Sequence, residues 1–266
     1  MPTSHSQSVL AAIGNDLPEH VADPLTGSRT WTALFIVASP RPGSGKTFLA
    51  RLIADFLRMD GGAVEAFELS PGDVALSDLL PAFTTRADLD STRAQIALFD
   101  RLILPDGVAK VVDLGHGAFE RFFGLIEEIG FVDEAERRAL EIIVLFAADP
   151  HARAVNAYAE LQRRFPAMVV APVFNEGILK GRRLREQYPF SRAATVPLQI
   201  PLLPPALKAY TERSGHSFAD FHSQLPAAIP IGPAFELRSW TKRTFLEFRE
   251  LELRLLMEKL RASLRG

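Results

Sequence analysis

Residues 32–57 read TALFIVASPRPGSGKTFLARLIADFL, and this stretch decides the fold. Thr32 to Ala38 is a continuous apolar run of the kind that forms a strand buried on both faces. Ser39 to Gly45 is a Gly/Pro-rich turn. From Lys46 onward, Phe48, Leu49, Leu52, Ile53, Phe56 and Leu57 recur three and four apart, the spacing of an amphipathic helix. A buried strand, a glycine-rich turn and a helix opening on Gly-Lys-Thr form the setting of a phosphate-binding loop. Gly43 and Gly45 lack a Cβ, so backbone N–H groups can close on phosphate oxygens. The start of the helix adds partial positive charge. Lys46 reaches the β- and γ-phosphates as a point charge, and the Thr47 hydroxyl is a ligand for Mg²⁺. Pro42, Gly43, Ser44, Gly45, Lys46, Thr47 and Phe48 are therefore the expected nucleotide-binding run. The alternative is a strand–helix turn that binds nothing.

Outward from this stretch the same alternation continues. Strands are expected at Val64–Leu69, Val108–Leu114, Glu141–Ala147, Met168–Phe174 and Ala193–Ile200. Helical patterns lie at 88–104, at 118–139 with a break near Gly130, and from Asp149-Pro150 to about Arg164, and a basic helical stretch is expected after Met168–Phe174. Strands alternating with helices predict an α/β fold, a three-layer α/β/α arrangement around a mostly parallel sheet. Residues 1–30 read as a tail or loose surface segment. Residues 31–232 read as the nucleotide-binding domain, and 233–266 as a long amphipathic helix packed on that domain or on a partner. Pro233 suits the first turn of that helix.

Composition narrows the function. The chain has 266 residues, 47% hydrophobic and 23% charged, with 30 Lys+Arg against 32 Asp+Glu and a net charge of −2. That balance excludes a globally basic nucleic-acid coat. With no cysteine, a disulfide scaffold, a thiol nucleophile and an iron–sulfur cluster are excluded. The N-terminus carries no secretory pattern, and no run of about 18 apolar residues exists. A cytoplasmic location is the expectation.

The loop departs from the standard G-x-x-x-x-G-K-S/T in having Pro40 where the first glycine belongs. Arg41-Pro42-Gly43-Ser44-Gly45-Lys46-Thr47 resembles the deviant loop, K-G-G-x-G-K-S/T, of the ParA/MinD-like ATPases, with Arg41 at the signature-lysine position. The resemblance covers roughly residues 31–215. It implies a P-loop NTPase fold, ATP or ADP with Mg²⁺ as cofactors, and a nucleotide-dependent homodimer in which Arg41 reaches the partner's nucleotide; the bland reading is a solvated loop arginine. It implies Asp113 as the carboxylate that holds Mg²⁺ or a metal-bound water, followed by a γ-phosphate-sensing turn at Gly115-His116-Gly117. A strand-ending aspartate in an ordinary turn is the alternative for Asp113, and a surface histidine for His116. With Pro71 setting the register, Glu68 falls on the family's first aspartate and Ser70 on the second, the one that positions the attacking water. Serine carries no charge at neutral pH, which puts hydrolysis in question; Asp73 is a substitute from the adjacent turn. Asn175 resembles the asparagine that contacts adenine, though asparagine also favours an Asx turn or helix N-cap. Pro201 to Pro205 resembles the segment flanking the base.

Lys180, Arg182, Arg183 and Arg185, with Arg192 nearby, form a basic cluster suited to DNA phosphates, to an acidic protein, or simply to solvent. The implied function is an ATP-dependent switch that positions or partitions cargo. Two alternatives stand beside it: a nucleotide-binding regulatory or adaptor protein with little hydrolysis, and a small-molecule kinase or ligase on the same fold.

Overall fold

The computed structural model describes residues 33–69, 74–192, 197–212, 216–223 and 229–264. The expectations for residues 1–30, Ser70, Pro71, Asp73 and Ala193–Val196 lie outside them. The first half of the chain forms β1 (Ala33–Ala38), α1 (Lys46–Arg58), β2 (Val64–Leu69), α2 (Leu76–Leu79), β3 (Thr84–Ala87), α3 (Thr92–Leu102), β4 (Ala109–Leu114), α4 (Phe119–Glu128) and α5 (Phe131–Arg137). The second half forms β5 (Glu141–Ala147), α6 (Ala152–Arg164), β6 (Val169–Asn175), α7 (Glu176–Leu179), β7 (Leu198–Ile200), α8 (Pro205–Thr211), α9 (Phe218–Ser223) and α10 (Ile231–Ser263).

The strands form one seven-stranded sheet in the order β3-β2-β4-β1-β5-β6-β7, and every pairing is parallel. Helices cover both faces, giving the expected three-layer α/β/α architecture. β1 is central, and all six of its residues are buried, which is why its sequence is apolar without alternation. One face packs against a phenylalanine-rich layer, with Phe99, Phe122, Phe123 and Phe131 in edge and stacked contacts 5.3–5.6 Å apart. The other face is covered by α1 and α10. Phe56 of α1 lies 5.6 Å from Phe245 and 5.4 Å from Phe248. Each such buried side chain contributes about 1.5–3 kcal/mol.

Buried charges clamp α8 and α9 onto α1. The Arg51 guanidinium donates to the carbonyls of Thr211 and His216. Asp55 accepts from Ser217 Oγ and Phe218 N, each at 2.8 Å. Burial is the largest influence on the Asp55 carboxyl and pushes it up to about 6.

The structure differs from the sequence expectations in four places. The edge strand β3 was not anticipated, because its four residues TTRA carry no buried apolar run. The helix expected at 88–104 is shortened to Thr92–Leu102, where Ser91 Oγ accepts from Ala94 N at 3.2 Å and caps it. The basic stretch after β6 does not form one helix. Lys180 and Gly181 adopt positive φ (49° and 80°), which ends α7 after one turn. The C-terminal helix begins at Ile231, two residues before Pro233. Among the described residues, no helix is long and apolar enough to cross a membrane.

Candidate nucleotide site

The turn between β1 and α1 holds the residues that the sequence singles out. Gly43 and Gly45 have φ of +65° and +80°, a region that side-chain-bearing residues rarely occupy. A Cβ on Gly45 would also lie 3.0 Å from Asn175 Nδ2. Gly45 therefore meets two independent demands for glycine. It is the N-cap of α1 and supplies no side-chain cap. The first intrahelical bond runs from Leu49 N to Gly45 O (3.0 Å). The N–H groups of Lys46, Thr47 and Phe48 precede it, and the opening amides of a helix are the ones without a helical acceptor. This is the position from which Phe48 can serve a phosphate, through its backbone. Its ring points elsewhere, 6.0 Å from Phe218 and 5.9 Å from Trp240.

Lys46 is 8% exposed. Its Nζ curls over the turn and donates to Arg41 O (2.7 Å) and Ser44 Oγ (3.3 Å). Burial lowers its pKa, and the nearby Asp113 carboxylate acts in the opposite direction. Ser44 Oγ in turn donates to Arg41 O (3.2 Å), and the Arg41 amide donates to Ser39 Oγ (3.4 Å). The turn is thus braced by its own side chains around an ammonium group.

Asp113 is the penultimate residue of β4, in the same cross-strand row as Val37 of β1 and Glu68 of β2. It is buried. Its carboxyl is pushed up to about 6, first by burial and further by Glu68; the hydrogen bond from Thr47 and the charge of Lys46 pull it back. The structure therefore brings Lys46, Thr47 and Asp113 together. A hydroxyl and one carboxylate beside a phosphate loop is the sparse oxygen set that Mg²⁺ accepts, the rest of its octahedron coming from phosphate and water. The glycine conformations, the uncapped helix start, the desolvated ammonium and this oxygen pair fit a magnesium–nucleotide ligand.

Glu68 occupies the neighbouring register position but is committed elsewhere. It accepts from Leu76 N, from Ser77 Oγ (2.7 Å) and from Arg86 Nε (3.3 Å). It holds α2 and β3 to the sheet. Beyond Asp113, Gly115 N donates to Leu69 O (2.7 Å), while His116 and Gly117 are exposed; His116 is thus a surface-loop residue.

Arg41 is half-buried, and its Nε lies 3.9 Å from Asp149 Oδ1 at the end of β5. Sequence reasoning did not find Asp149, which carries no motif of its own. Asn175 acts as an N-cap: its Oδ1 accepts from Gly177 N (3.0 Å) and opens α7. Its Nδ2 faces Gly45 and so stands against the turn between β1 and α1. Glu176 Oε2 accepts from Leu202 N (3.0 Å), and Trp240 Nε1 donates to Pro201 O (3.1 Å). The Pro201–Pro205 segment is thereby tied to the end of β6. The basic residues Lys180, Arg182, Arg183, Arg185 and Arg192 are all exposed, on a loop anchored by buried Leu184 and Phe190. Set against known proteins, the chain matches no family model, and no curated protein matches it in sequence.

Proposed function

We propose that this chain is a ParA/MinD-like ATP-binding switch that binds Mg-ATP at the turn between β1 and α1 and pairs with a second copy in response. The observation that carries the reading is the meeting of Lys46, Thr47 and Asp113 beside an uncapped helix N-terminus. Bound magnesium would screen phosphate charge. Lys46 leaves its loop carbonyl for the phosphates, an exchange favoured because an ammonium gains more from an anion than from a neutral oxygen. Thr47 and Asp113 hold the metal side. The amides of residues 43–48 orient the phosphate chain. Arg41, held near Asp149 in the single chain, is the group available to a facing copy's nucleotide. Cargo positioning or partitioning is the cellular role that this reading entails. DNA phosphates or an acidic protein at the Lys180–Arg192 loop are the partners that the exposed charge suits.

A second reading, a nucleotide-binding regulator with little turnover, draws on a specific observation. Glu68 is saturated by three donors, and Ser70 stands where the family places its water-positioning aspartate. Neither supplies a free carboxylate for the attacking water. Measuring Mg-ATP binding and phosphate release on the same preparation tests both. Binding with steady turnover supports the ATPase. Binding without turnover supports the regulator. Absence of binding removes both.

A further inference from the structure

One stripe of α1 faces a single short stretch far along the chain. Phe48, Arg51 and Asp55 stand at i, i+3 and i+7, the spacing that puts side chains on one helix face. Arg51 and Asp55 are almost fully buried. The Arg51 guanidinium donates to the carbonyls of Thr211 and His216 and lies over the Phe218 ring, 4.8 Å from its centroid. Asp55 accepts from the Ser217 hydroxyl and from the Phe218 amide, each at 2.8 Å. Ser217 Oγ accepts in turn from Ala219 N (3.1 Å), at the start of α9.

Burying charges is a weak means of gaining stability, because desolvation offsets much of their attraction. What these two charges supply is direction. Apolar packing alone lets a ring slide across a helix face, whereas directed hydrogen bonds from α1 fix the backbone that carries Phe218. Phe218 is fully buried. Its ring stands edge-on to Phe48 at 6.0 Å and lies 5.7 Å from Trp240, which is itself 5.9 Å from Phe48. The Phe48 ring therefore rests against two rings of fixed position.

Phe48 is the third residue of α1, and the turn ahead of it needs support from outside. Gly43 and Gly45 carry the largest backbone freedom of any residue type, and Gly45 gives the helix no side-chain cap. The internal brace of the turn runs through Lys46 Nζ, which leaves it when it turns to an anion. We infer that Asp55 is a positioning residue for the turn between β1 and α1: by holding Phe218 it seats the Phe48 ring and so fixes the amides that open α1. Those amides orient the phosphates in the function proposed above, and the role of Asp55 rests on that reading.

Isothermal titration of Mg-ATP into the full chain tests this with Asp55→Asn, Asp55→Leu, Phe218→Leu and the double variant Asp55→Leu/Phe218→Leu. Asparagine keeps a carbonyl for the Phe218 amide and offers its NH₂ to Ser217 Oγ, so Asp55→Asn should bind within about twofold of the parent. Asp55→Leu and Phe218→Leu should each weaken binding by about tenfold, the loss expected when a prearranged site must be ordered on binding. The double variant should be no weaker than either single one, because both break the same chain of contacts. Trp240 supplies a second readout. The chain has two tryptophans, so in a Trp31→Phe background Trp240 alone emits. Its emission should move to longer wavelength with Asp55→Leu and stay in place with Asp55→Asn. Phe218→Leu leaves the backbone bonds to Asp55 intact, and it decides the matter if circular dichroism shows Asp55→Leu unfolded. A parent that binds Mg-ATP beside Asp55→Leu and Phe218→Leu variants that bind equally well, with only their melting temperatures lowered, makes Asp55 a brace of the fold and overturns the inference. Additive losses in the double variant, or Trp240 emission unmoved by Asp55→Leu, overturn the route through Phe218. No binding by the parent overturns the nucleotide reading itself, and the role of Asp55 with it.

Discussion

Two carboxylates stand side by side on neighbouring strands, and their surroundings are opposite. Glu68 near the end of β2 and Asp113 near the end of β4 are register partners, both buried. Glu68 is met by a backbone amide, a hydroxyl and a guanidinium. Asp113 is met by one hydroxyl and a nearby ammonium, and its carboxyl is pushed up to about 6. The first arrangement satisfies a charge and holds the fold together. The second leaves a charge under-satisfied, at a cost in stability, where a cation would satisfy it. The same residue chemistry in the same row thus divides into a brace and a candidate site, and only the donors around each tell them apart.

The comparison breaks most visibly in unfolding measurements. Glu68→Ala should cost about 3 kcal/mol, because it strands the Leu76 amide and removes the partner of Arg86. Asp113→Asn should not cost stability and should raise it by about 1–3 kcal/mol at pH 7. The sign follows from the direction of the shift. A carboxyl raised from 3.8 to about 6 on folding penalises the folded state fully above pH 6 and not at all below the unfolded value. Equal destabilisation by the two substitutions in urea titrations would erase the distinction.

A second test acts on the turn between β1 and α1. Gly45→Ala forces a side chain into φ +80° and to 3.0 Å from Asn175 Nδ2. The expected cost is about 1–3 kcal/mol, with a matching loss of nucleotide affinity by calorimetry. Unchanged stability and affinity would mean that the turn tolerates a Cβ. The third test is pH. Magnesium-dependent nucleotide affinity should fall by up to about tenfold from pH 7 to pH 5 as Asp113 takes up a proton through about 6. In Asp113→Asn the same titration should be shallower, keeping only the part due to the nucleotide's own terminal phosphate. The smallest effect belongs to Arg41→Ala. Its pairing with Asp149 is long and partly exposed, a geometry worth less than about 1 kcal/mol. Monomer nucleotide affinity should therefore hardly move while ATP-dependent dimer formation weakens. Equal dimer populations for parent and variant in sedimentation runs with Mg-ATP would remove Arg41 from that role.

Much of this molecule was legible in the sequence because its central strands are buried on both faces and write themselves as unbroken apolar runs. The strand at Glu141–Ala147 was read to the residue, and the break at Gly130 is the left-handed N-cap of α5. β3 was not legible, since an edge strand of four residues with two exposed carries neither run nor alternation. Lys46 and Thr47 were legible from the loop itself, whereas Asp113 was singled out by the resemblance to the ParA/MinD-like ATPases and its meeting with them needed the pairing of β1 with β4. The commitment of Glu68 was not legible, because its donors come from residues 76, 77 and 86, which share no pattern with it. The proximity of Arg41 to Asp149 and of Asn175 to Gly45 depends on how strand ends converge, which only the strand order β4-β1-β5-β6 reveals. Phe48 was read as a nucleotide residue and also as a core residue. Its half-buried ring packs against the core, and its amide stands at the helix start.

The central claim is that the turn from Ser39 to Thr47 binds a nucleotide polyphosphate through Lys46. Isothermal titration of Mg-ATP into the parent chain and into Lys46→Ala tests it most directly. The account predicts a saturable heat of binding in the parent and a loss of at least about 100-fold in affinity in the variant, since a desolvated charge–phosphate bond is removed. Equal affinity in the two proteins, or no heat in either, would contradict it.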